Sequence, residues 1–303
     1  MVASQFNAMP TSYRGRFAPT PSGPLHLGSL LTALAGFLQA RIQSGLWFLR
    51  MDDLDAPRCV PGVDALIQRQ LEVHALHWDG AVRYQSRHEA DYRAALHELR
   101  LRESSYACVC TRAVLARDAL AGPDGPVYAG TCRGHGESAA PHALRLKLDE
   151  EHLQLEDAWQ GRLTRHSLSD IGDFVLQRAD GRIAYQLACV VDEQALGITE
   201  VVRGADLIGS SFRQIYLMRR MGLPAPSYRH LPVLLGQDGR KLSKQNHAAA
   251  ADNDHASANL ITCLRLLGQK PPDFILRDAP RHIVGWAIEH WDAGAVPKSQ
   301  TIC

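Results

Sequence analysis

Residues 16–29 read Arg-Phe-Ala-Pro-Thr-Pro-Ser-Gly-Pro-Leu-His-Leu-Gly-Ser, and this stretch decides the fold of the chain. It is typical of a strand, a turn broken by proline and glycine, and a helix that opens near Leu25. Such a turn leaves backbone N–H groups beside the positive end of a helix, where a polyphosphate can bind. His26 falls in the first turn of that helix, so its imidazole can reach a phosphate oxygen.

A second informative stretch, Lys241-Leu242-Ser243-Lys244-Gln245, follows a glycine-containing loop far downstream. Lysines on a flexible loop can follow a phosphate group as negative charge develops on it. Taken alone, each stretch has a plain structural explanation: a turn before a helix, and a pair of solvated lysines. Their order along the chain, with strands and helices around them, favours a nucleotide site.

Composition and charge exclude several classes of protein. The chain has 303 residues, of which 46% are hydrophobic and 21% are charged, as in ordinary globular proteins. Its net charge of +1 indicates that any RNA contact depends on local patches. No apolar run has the length of a membrane span and no signal peptide is evident, so we expect a cytoplasmic protein. Seven scattered cysteines argue against a disulfide framework.

Strand and helix signals alternate along most of the chain, and apolar strands in such an order predict an α/β fold with a parallel sheet covered by helices. Ligands gather at the carboxyl ends of such strands, where His26 and Asp52 would fall. Residues 185–191 are taken as a strand of this alternation. The other elements are expected at 14–18, 25–43, 46–51, 63–76, 82–84, 88–102, 199–203, 210–221 and 231–235.

The alternation breaks between about 108 and 177, in a stretch with glycine- and proline-containing loops. We therefore expect a Rossmann-like core split between 13–105 and 178–245, an insertion at 106–177, and a small helical C-terminal segment at 246–303. Helical spacing at 260–267 and 281–291 supports the last of these. The polar end of the chain is expected to fray.

Three cysteines lie close together in the insertion: Cys108, Cys110 and Cys132. Thiolates bind Zn²⁺ well, and a structural zinc site needs four donors in a tetrahedron. The fourth donor is open among Tyr128, His135 and water. A Cys-x-Cys pair is tighter than the usual spacing, so the residues alone leave free thiols as an even alternative to a metal site.

Arg16, Asp52, Tyr185 and Arg203 are candidate ligands for a zwitterionic substrate with an acidic side chain. Two arginines can each hold a carboxylate, often through two hydrogen bonds, and a carboxylate such as Asp52 can hold an ammonium group. Considered singly, each such residue is more often part of a surface or structural ion pair. Their placement at the ends of presumed strands favours a binding site.

The two signature stretches resemble those of class I aminoacyl-tRNA synthetases, whose patterns are His-x-Gly-His and Lys-Met-Ser-Lys-Ser. This chain has Ser29 in place of the second histidine, and Leu242 and Gln245 in place of methionine and serine. The lead-in at 16–23 resembles the glutamyl branch, which tolerates a small residue at the second-histidine position. Over about 13–250 the chain is most similar to the group of glutamyl-queuosine tRNA(Asp) synthetases.

This resemblance implies activation of L-glutamate by ATP, with Mg²⁺, and transfer of glutamate to the queuosine base in the anticodon arm of tRNA(Asp). It implies a catalytic role for His26, Lys241 and Lys244. The implied glutamate-binding positions are Arg16, Phe17, Ala18, Pro19, Thr20, Asp52, Tyr185 and Arg203. The implied ATP-binding positions are His26, Gly28, Ser29 and Lys244, and structural Zn²⁺ would bind to Cys108, Cys110, Tyr128 and Cys132.

The family often has glutamate where this chain has Asp52, which is one methylene shorter. It therefore stays open whether Asp52 contacts the substrate ammonium directly or through water. The Arg203-Gly204-Ala205-Asp206-Leu207 stretch resembles a loop that such enzymes place near the ribose and the amino acid. An N-capped turn before a helix explains the same residues.

Three other functions stay open at this point. A compact glutamyl-tRNA synthetase would charge a tRNA 3′ end, although residues 246–303 are too few for the further large domain that such enzymes commonly have. A non-catalytic tRNA-binding relative would not need His26 and both lysines. Another nucleotidyl transferase with the same fold would lack the amino-acid site formed by two arginines.

Overall fold

The computed structural model describes residues 12–134, 141–236 and 250–302. The first of these ranges begins with a βαβ unit, in which a helix links two parallel strands. The elements of this first part are β1 (Arg14–Phe17), α1 (Leu27–Arg41), β2 (Leu46–Met51), α2 (Val63–Val73), β3 (Arg83–Tyr84) and α3 (Glu89–Leu101).

The middle of the chain consists mainly of strands, and the last part returns to alternating helices and strands. The middle elements are β4 (Ser105–Cys108), α4 (Arg112–Asp118), β5 (Ala143–Leu146), β6 (His152–Asp157), β7 (Gly161–His166) and β8 (Val175–Gln177). The later elements are α5 (Tyr185–Leu196), β9 (Glu200–Gly204), α6 (Ile208–Met221), β10 (Ser227–Leu231), β11 (Val233–Leu234), α7 (Ala256–Leu266), α8 (Pro280–Glu289) and β12 (Thr301–Ile302).

The core contains a parallel sheet in two hydrogen-bonded parts. β1, β2 and β3 form the first part, with Arg14 opposite Leu46 and Arg50 opposite Arg83. β9, β10 and β6 form the second part in parallel order, and β7 continues it antiparallel. The parts meet where the Thr199 amide donates to the Arg14 carbonyl oxygen at 2.9 Å. The predicted α/β fold with a parallel sheet is confirmed.

Helix α1 crosses from β1 to β2 and is buried along most of its length, from Leu30 to Ala40. A helix that is apolar on all sides needs cover on all sides. The strands β1 and β2 cover one side, and α7 and α8 add their apolar residues to the same core. Despite this apolar character, neither α1 nor any other helix among the described residues is long and apolar enough to span a membrane.

The middle of the chain is tied into the core sheet. β4, β5 and β8 form a small antiparallel sheet, while β6 and β7 form a hairpin. β6 also pairs in parallel with β10, where Asp157 lies opposite Tyr228. The division at 105/106, 177/178 and 245/246 into a split core, an insertion and a C-terminal segment stays a prediction.

Two expectations about local structure are wrong. The segment 185–191, taken as a strand, is the first part of helix α5, and Tyr185 is the first residue of that helix. Because α5 buries its apolar run together with Asp192 and Glu193, it lacks the polar face that marks a helix in a sequence. The polar end of the chain, expected to fray, forms β12, where Thr301 and Ile302 pair in parallel with β11.

A substitution of Trp47 on β2 tests which residues form this core. Its side chain is fully buried, packs edge to face with Phe37 at a centroid distance of 5.3 Å, and stacks on Phe17 at 6.2 Å. We expect Trp47→Ala to lower the free energy of unfolding by about 3–5 kcal/mol, because it leaves a cavity. Leu101→Ala, at a side chain that is 65% exposed, should change it by less than about 1 kcal/mol. Urea denaturation measures both, and equal effects would contradict this assignment of the core.

Candidate active site

A cleft of about 930 Å³ lies at the sheet edge where β1, β2, β9 and β10 end. The carboxyl edge of a parallel sheet is where α/β proteins bind their ligands. Every predicted glutamate- or ATP-binding residue that the structure describes lines this cleft: Arg16, Phe17, Ala18, Pro19, Thr20, His26, Gly28, Ser29, Asp52, Tyr185 and Arg203. The fold therefore brings residues that are far apart in the sequence to a single site.

The turn before α1 is held by the buried side chain of Gln70 on α2. Gln70 Oε1 accepts a hydrogen bond from the Leu25 amide at 2.7 Å, and its Nε2 donates to the Ala251 carbonyl oxygen at 3.0 Å. The Ala251 amide in turn donates to the Leu25 carbonyl oxygen at 2.7 Å. These bonds fix the position at which α1 presents its positive amino-terminal end to the cleft.

His26 caps helix α1. Its Nδ1 accepts from the Ser29 amide at 3.2 Å, and its Nε2 lies 3.0 Å from the Ser29 hydroxyl oxygen. A nitrogen that accepts carries no proton, so a neutral His26 ring has its proton on Nε2. A Cβ at Gly28 would lie 3.1 Å from His26 Cε1, so glycine leaves room for this ring. The arrangement gives the cleft one imidazole N–H donor at the helix start.

The predicted catalytic residues Lys241 and Lys244 lie outside the described residues. The chain runs into the segment 237–249 from β11, whose Val233 and Leu234 line the cleft. It is described again at Ala250, which forms a β-bridge with His26. Both flanks of this segment are therefore at the cleft, beside the turn that precedes α1.

Two of the predicted glutamate ligands have buried ion-pair partners in the protein. Arg16 donates to Glu193 Oε1 from Nε at 3.1 Å and from Nη2 at 3.0 Å. Arg50 holds both oxygens of Asp52, from Nε at 2.6 Å and from Nη2 at 3.2 Å. Burial raises the pKa of Asp52, and the Arg50 cation opposes that rise. A carboxylate can accept about four hydrogen bonds, so Asp52 keeps capacity for a ligand.

Asp192 on α5 joins a third arginine to these pairs. It accepts from Arg83 Nε at 2.7 Å, from Gln85 Nε2 at 2.8 Å and from the Tyr92 hydroxyl at 2.8 Å. Its Oδ2 also lies 3.8 Å from Arg50 Nε. Three arginines thus face three carboxylates, and this buried cluster is electrically neutral without any ligand.

Arg203 is different, because no carboxylate among the described residues pairs with it. Its side chain is buried and lines the cleft. Nη2 donates to Ser211 Oγ at 2.6 Å, Nε lies 3.5 Å from His230 Nε2, and Nη1 has no hydrogen-bond partner. Burial lowers the pKa of Arg203, but the coulombic effect of Tyr185, Tyr228 and Glu193 outweighs this and raises it, so the side chain stays a cation. The site is therefore arranged to take an anionic group at Arg203.

A second constellation lies in the middle of the chain and does not line the cleft. The sulfur atoms of Cys108, Cys110 and Cys132 all lie within 4.8 Å of one another. The Tyr128 hydroxyl oxygen lies 3.4 Å from Cys108 Sγ and 3.6 Å from Cys110 Sγ, and the sulfurs of Cys110 and Cys132 are 3.5 Å apart. Bonds of about 2.0–2.3 Å to a tetrahedral ion place its donors about 3.3–3.8 Å apart. The three distances from Tyr128 to Cys108, from Tyr128 to Cys110 and from Cys110 to Cys132 fall in this range.

The chemistry of the donors also fits a metal ion. Burial raises the pKa of Cys108, but hydrogen bonds from Tyr128 and Arg145 outweigh this effect and lower the pKa to about 7. The thiolate is the form of cysteine that binds metals. The Arg145 guanidinium lies over the Tyr128 ring, 3.8 Å from its centroid. The other protein candidate for the fourth donor, His135, lies outside the described residues.

Several residues of the site were not found from the sequence. Arg50 interrupts the apolar strand β2, and Glu193 follows an apolar run in α5. A charged residue inside a run of buried ones needs a partner, so both positions carried a usable signal. Ser211 and His230, the neighbours of Arg203, carry no such signal, since a serine or a histidine is common in any helix or strand.

Comparisons with known proteins relate this chain to a family. Residues 12–279 match the family described as tRNA synthetases class I (E and Q), catalytic domain. The glutamyl-Q tRNA(Asp) synthetase of Dechloromonas aromatica (strain RCB) is 47% identical over 299 residues, which cover 97% of this chain and 99% of that protein. The protein of the same name from Thiobacillus denitrificans (strain ATCC 25259 / T1) is 44% identical over 294 residues, covering 97% and 98%.

The fold is also found in a solved structure, a glutamate tRNA ligase from Elizabethkingia meningosepticum CCUG26117 in complex with its amino acid. It matches 95% of this chain with a TM-score of 0.79 at 24% sequence identity. The chain spans 66% of the length of that protein. At this identity the likeness concerns the fold alone. With the family match over most of its length and the close relatives above, the chain belongs to the catalytic-domain family of class I tRNA synthetases of the E and Q type.

Proposed function

We propose that this protein is a ligase that activates L-glutamate with ATP in the absence of tRNA and transfers the glutamate to the queuosine base in the anticodon of tRNA(Asp). The observation that carries the proposal is the buried, unpaired cation of Arg203 in the cleft that the turn before α1 also lines. The relatives that match over nearly their whole length are named for this activity, which supports the choice of acceptor.

Glutamate presents two carboxylates and one ammonium group to the cleft. Arg203 holds one carboxylate through Nη1, which has no partner in the protein. Arg16 holds the other, because an arginine has five N–H donors and only three of those of Arg16 are used, by Glu193 and the Val202 carbonyl oxygen. Asp52 attracts the ammonium group. The walls around the substrate are formed by Phe17, Ala18, Pro19, Thr20 and Tyr185.

ATP binds at the start of α1, where His26, Gly28 and Ser29 line the cleft. His26 donates its Nε2 proton to a phosphate oxygen, which replaces the Ser29 hydroxyl as its partner. A glutamate carboxylate oxygen then attacks the α-phosphorus, so that a new P–O bond forms and pyrophosphate leaves. This in-line displacement needs positioning and charge neutralisation more than covalent catalysis. Lys241 and Lys244 supply positive charge for it, and Mg²⁺ bound with ATP would add to that charge.

We infer that Cys108, Cys110, Cys132 and Tyr128 hold Zn²⁺. A tetrahedral set rich in thiolates suits zinc, and a site with all four positions filled by protein is structural. Bound zinc would join the end of β4 to the loops that carry Tyr128 and Cys132, and so order this part of the chain. We place the protein in the cytoplasm, where such thiols stay reduced.

Arg203→Ala tests the glutamate site. We expect the KM for glutamate in ATP–pyrophosphate exchange to rise at least about 100-fold, because a buried charge pair of about 3 kcal/mol or more is lost. The KM for ATP should change by less than about threefold, since the hydrogen bonds of Arg203 go to Ser211 and His230 and not to residues at the start of α1. The control is Arg219→Ala, at an exposed arginine paired with Glu151 at 3.4 Å. Equal glutamate KM values in both variants would contradict the assignment.

Removal of one thiol tests the metal site. The purified protein should contain about one zinc ion per chain, and Cys110→Ser should lose it and unfold at a lower temperature. Cys59→Ser removes a thiol outside the cluster and should keep the zinc. A folded, active and zinc-free preparation would refute a structural metal. If Tyr128→Phe keeps its zinc, the fourth donor is His135 or water.

The acceptor is tested by comparing forms of one tRNA. We expect radiolabelled glutamate to be transferred to tRNA(Asp) that carries queuosine, and not to the same tRNA without it, because the unstacked anticodon bases suit direct recognition. Removal of the 3′-terminal adenosine should leave the transfer intact. Charging of unmodified tRNA(Glu) at its 3′ end would instead identify a compact glutamyl-tRNA synthetase.

A further inference from the structure

Behind Arg203 lies a buried chain of three polar side chains: Ser211 on α6, His230 on β10 and Asp157 at the end of β6. Arg203 Nη2 donates to Ser211 Oγ at 2.6 Å, and that oxygen lies 2.7 Å from His230 Nε2. On the other side of the ring, His230 Nδ1 lies 2.6 Å from Asp157 Oδ2. Ser211 and His230 have no solvent exposure and Asp157 is 4% exposed. None of the three lines the cleft.

The chemistry of the neighbouring groups decides which ring nitrogen of His230 carries the proton. Nδ1 of His230 carries a proton and donates it to Asp157, since a carboxylate only accepts. Burial lowers the pKa of His230, so the ring is neutral and its Nε2 has no proton. Nε2 therefore accepts, from the Ser211 hydroxyl at 2.7 Å and from Arg203 Nε at 3.5 Å. The Ser211 oxygen accepts from Arg203 Nη2, and its hydroxyl also lies 3.2 Å from the Leu207 carbonyl oxygen.

Backbone amides fix Asp157, which is the member of this hydrogen-bonded series farthest from Arg203. Asp157 Oδ1 accepts from the Trp159 amide at 2.9 Å and from the Gln160 amide at 2.8 Å. The amide of His230 also donates to Asp157, at 3.1 Å to Oδ2. Strand β10 lies between β6 and β9, and His230 on β10 lies directly opposite Arg203 on β9. The fixed position of Asp157 on β6 therefore also fixes His230 beside Arg203.

The guanidinium of Arg203 is also restrained from its face. Its Cζ lies 5.3 Å from the centroid of the Tyr228 ring, which stacks on His230 at 5.9 Å with an interplanar angle of 3°. An arginine side chain has many rotamers, and a guanidinium fork recognises a carboxylate well only when it is held in one orientation. Ser211 and Tyr228 therefore both restrain the orientation of the Arg203 guanidinium.

We propose that Asp157, His230 and Ser211 are positioning residues that hold Arg203 with Nη1 left for the substrate carboxylate, and that they thereby set the affinity for glutamate without touching it. This inference rests on the proposed function of the cleft. It assigns a part of the specificity for an acidic amino acid to side chains that contact Arg203 and not the substrate. The nearby arginines do not share this support, because Arg16 and Arg50 are held by carboxylates directly.

The test is Ser211→Ala, measured by glutamate-dependent ATP–pyrophosphate exchange. Because the lost hydrogen bond is made to a charged group, the KM for glutamate should rise about tenfold or more. The kcat and the KM for ATP should stay within about threefold, which a general loss of structure would not give. The control is Ser210→Ala on the same helix, whose hydroxyl binds Gln186 at 3.1 Å and not Arg203. It should behave as the unaltered protein.

A double variant decides whether Ser211 acts through Arg203. In an Arg203→Lys background, which lacks the guanidinium fork, Ser211→Ala should raise the glutamate KM by less than about twofold. A full tenfold rise in that background, or an unchanged KM in the single variant, would overturn the proposal. If Ser211→Ala fails to fold, Asp157→Asn replaces it and should raise the glutamate KM in the same selective way.

A readout without activity separates this proposal from the proposed function. Nitrogen NMR of the His230 side chain in the unaltered protein should show a protonated Nδ1 and an unprotonated Nε2 at neutral pH. A proton on Nε2 would overturn the chain of hydrogen bonds whatever the substrate is. Absence of glutamate-dependent exchange by the unaltered protein, together with the expected NMR result, would contradict the proposed function and leave the positioning of Arg203 supported.

Discussion

The site depends on the buried guanidinium of Arg203, because no carboxylate among the described residues forms an ion pair with it. The neighbouring arginines are neutralised by Asp52, Asp192 and Glu193. Because Nη1 of this buried cation has no hydrogen-bond partner, Arg203 favours binding of an anion in the cleft.

The fold supplies this residue and the nucleotide-binding turn at one edge of the sheet. β1 ends in the turn before α1, and β9 ends just after Arg203, so the two adjoining strands deliver both halves of the site. Gln70 and Ala251 then lock the turn from outside the sheet. The cysteine cluster has no part in the cleft, and its four donor atoms come from the end of β4 and from loops, where a bound metal ion would add order.

The sequence predicted the α/β fold and the cleft-lining residues, because the turn at 16–29 has a strong local pattern and parallel sheets bind ligands at a known edge. It did not predict the helix at α5, since buried helices and strands have similar apolar runs. It also did not predict the partners of the arginines. Glu193 meets Arg16, and His230 meets Ser211, only through the pairing order of the strands and the packing of α5 and α6, which local patterns do not encode.

The most direct test of the central claim is a crystal structure of the protein with L-glutamate bound. The account predicts a glutamate carboxylate oxygen about 3 Å from Arg203 Nη1, with the Ser211 contact to Nη2 kept. A bound glutamate with neither carboxylate at Arg203, or a protein carboxylate from the segment 237–249 paired with Nη1, would contradict it.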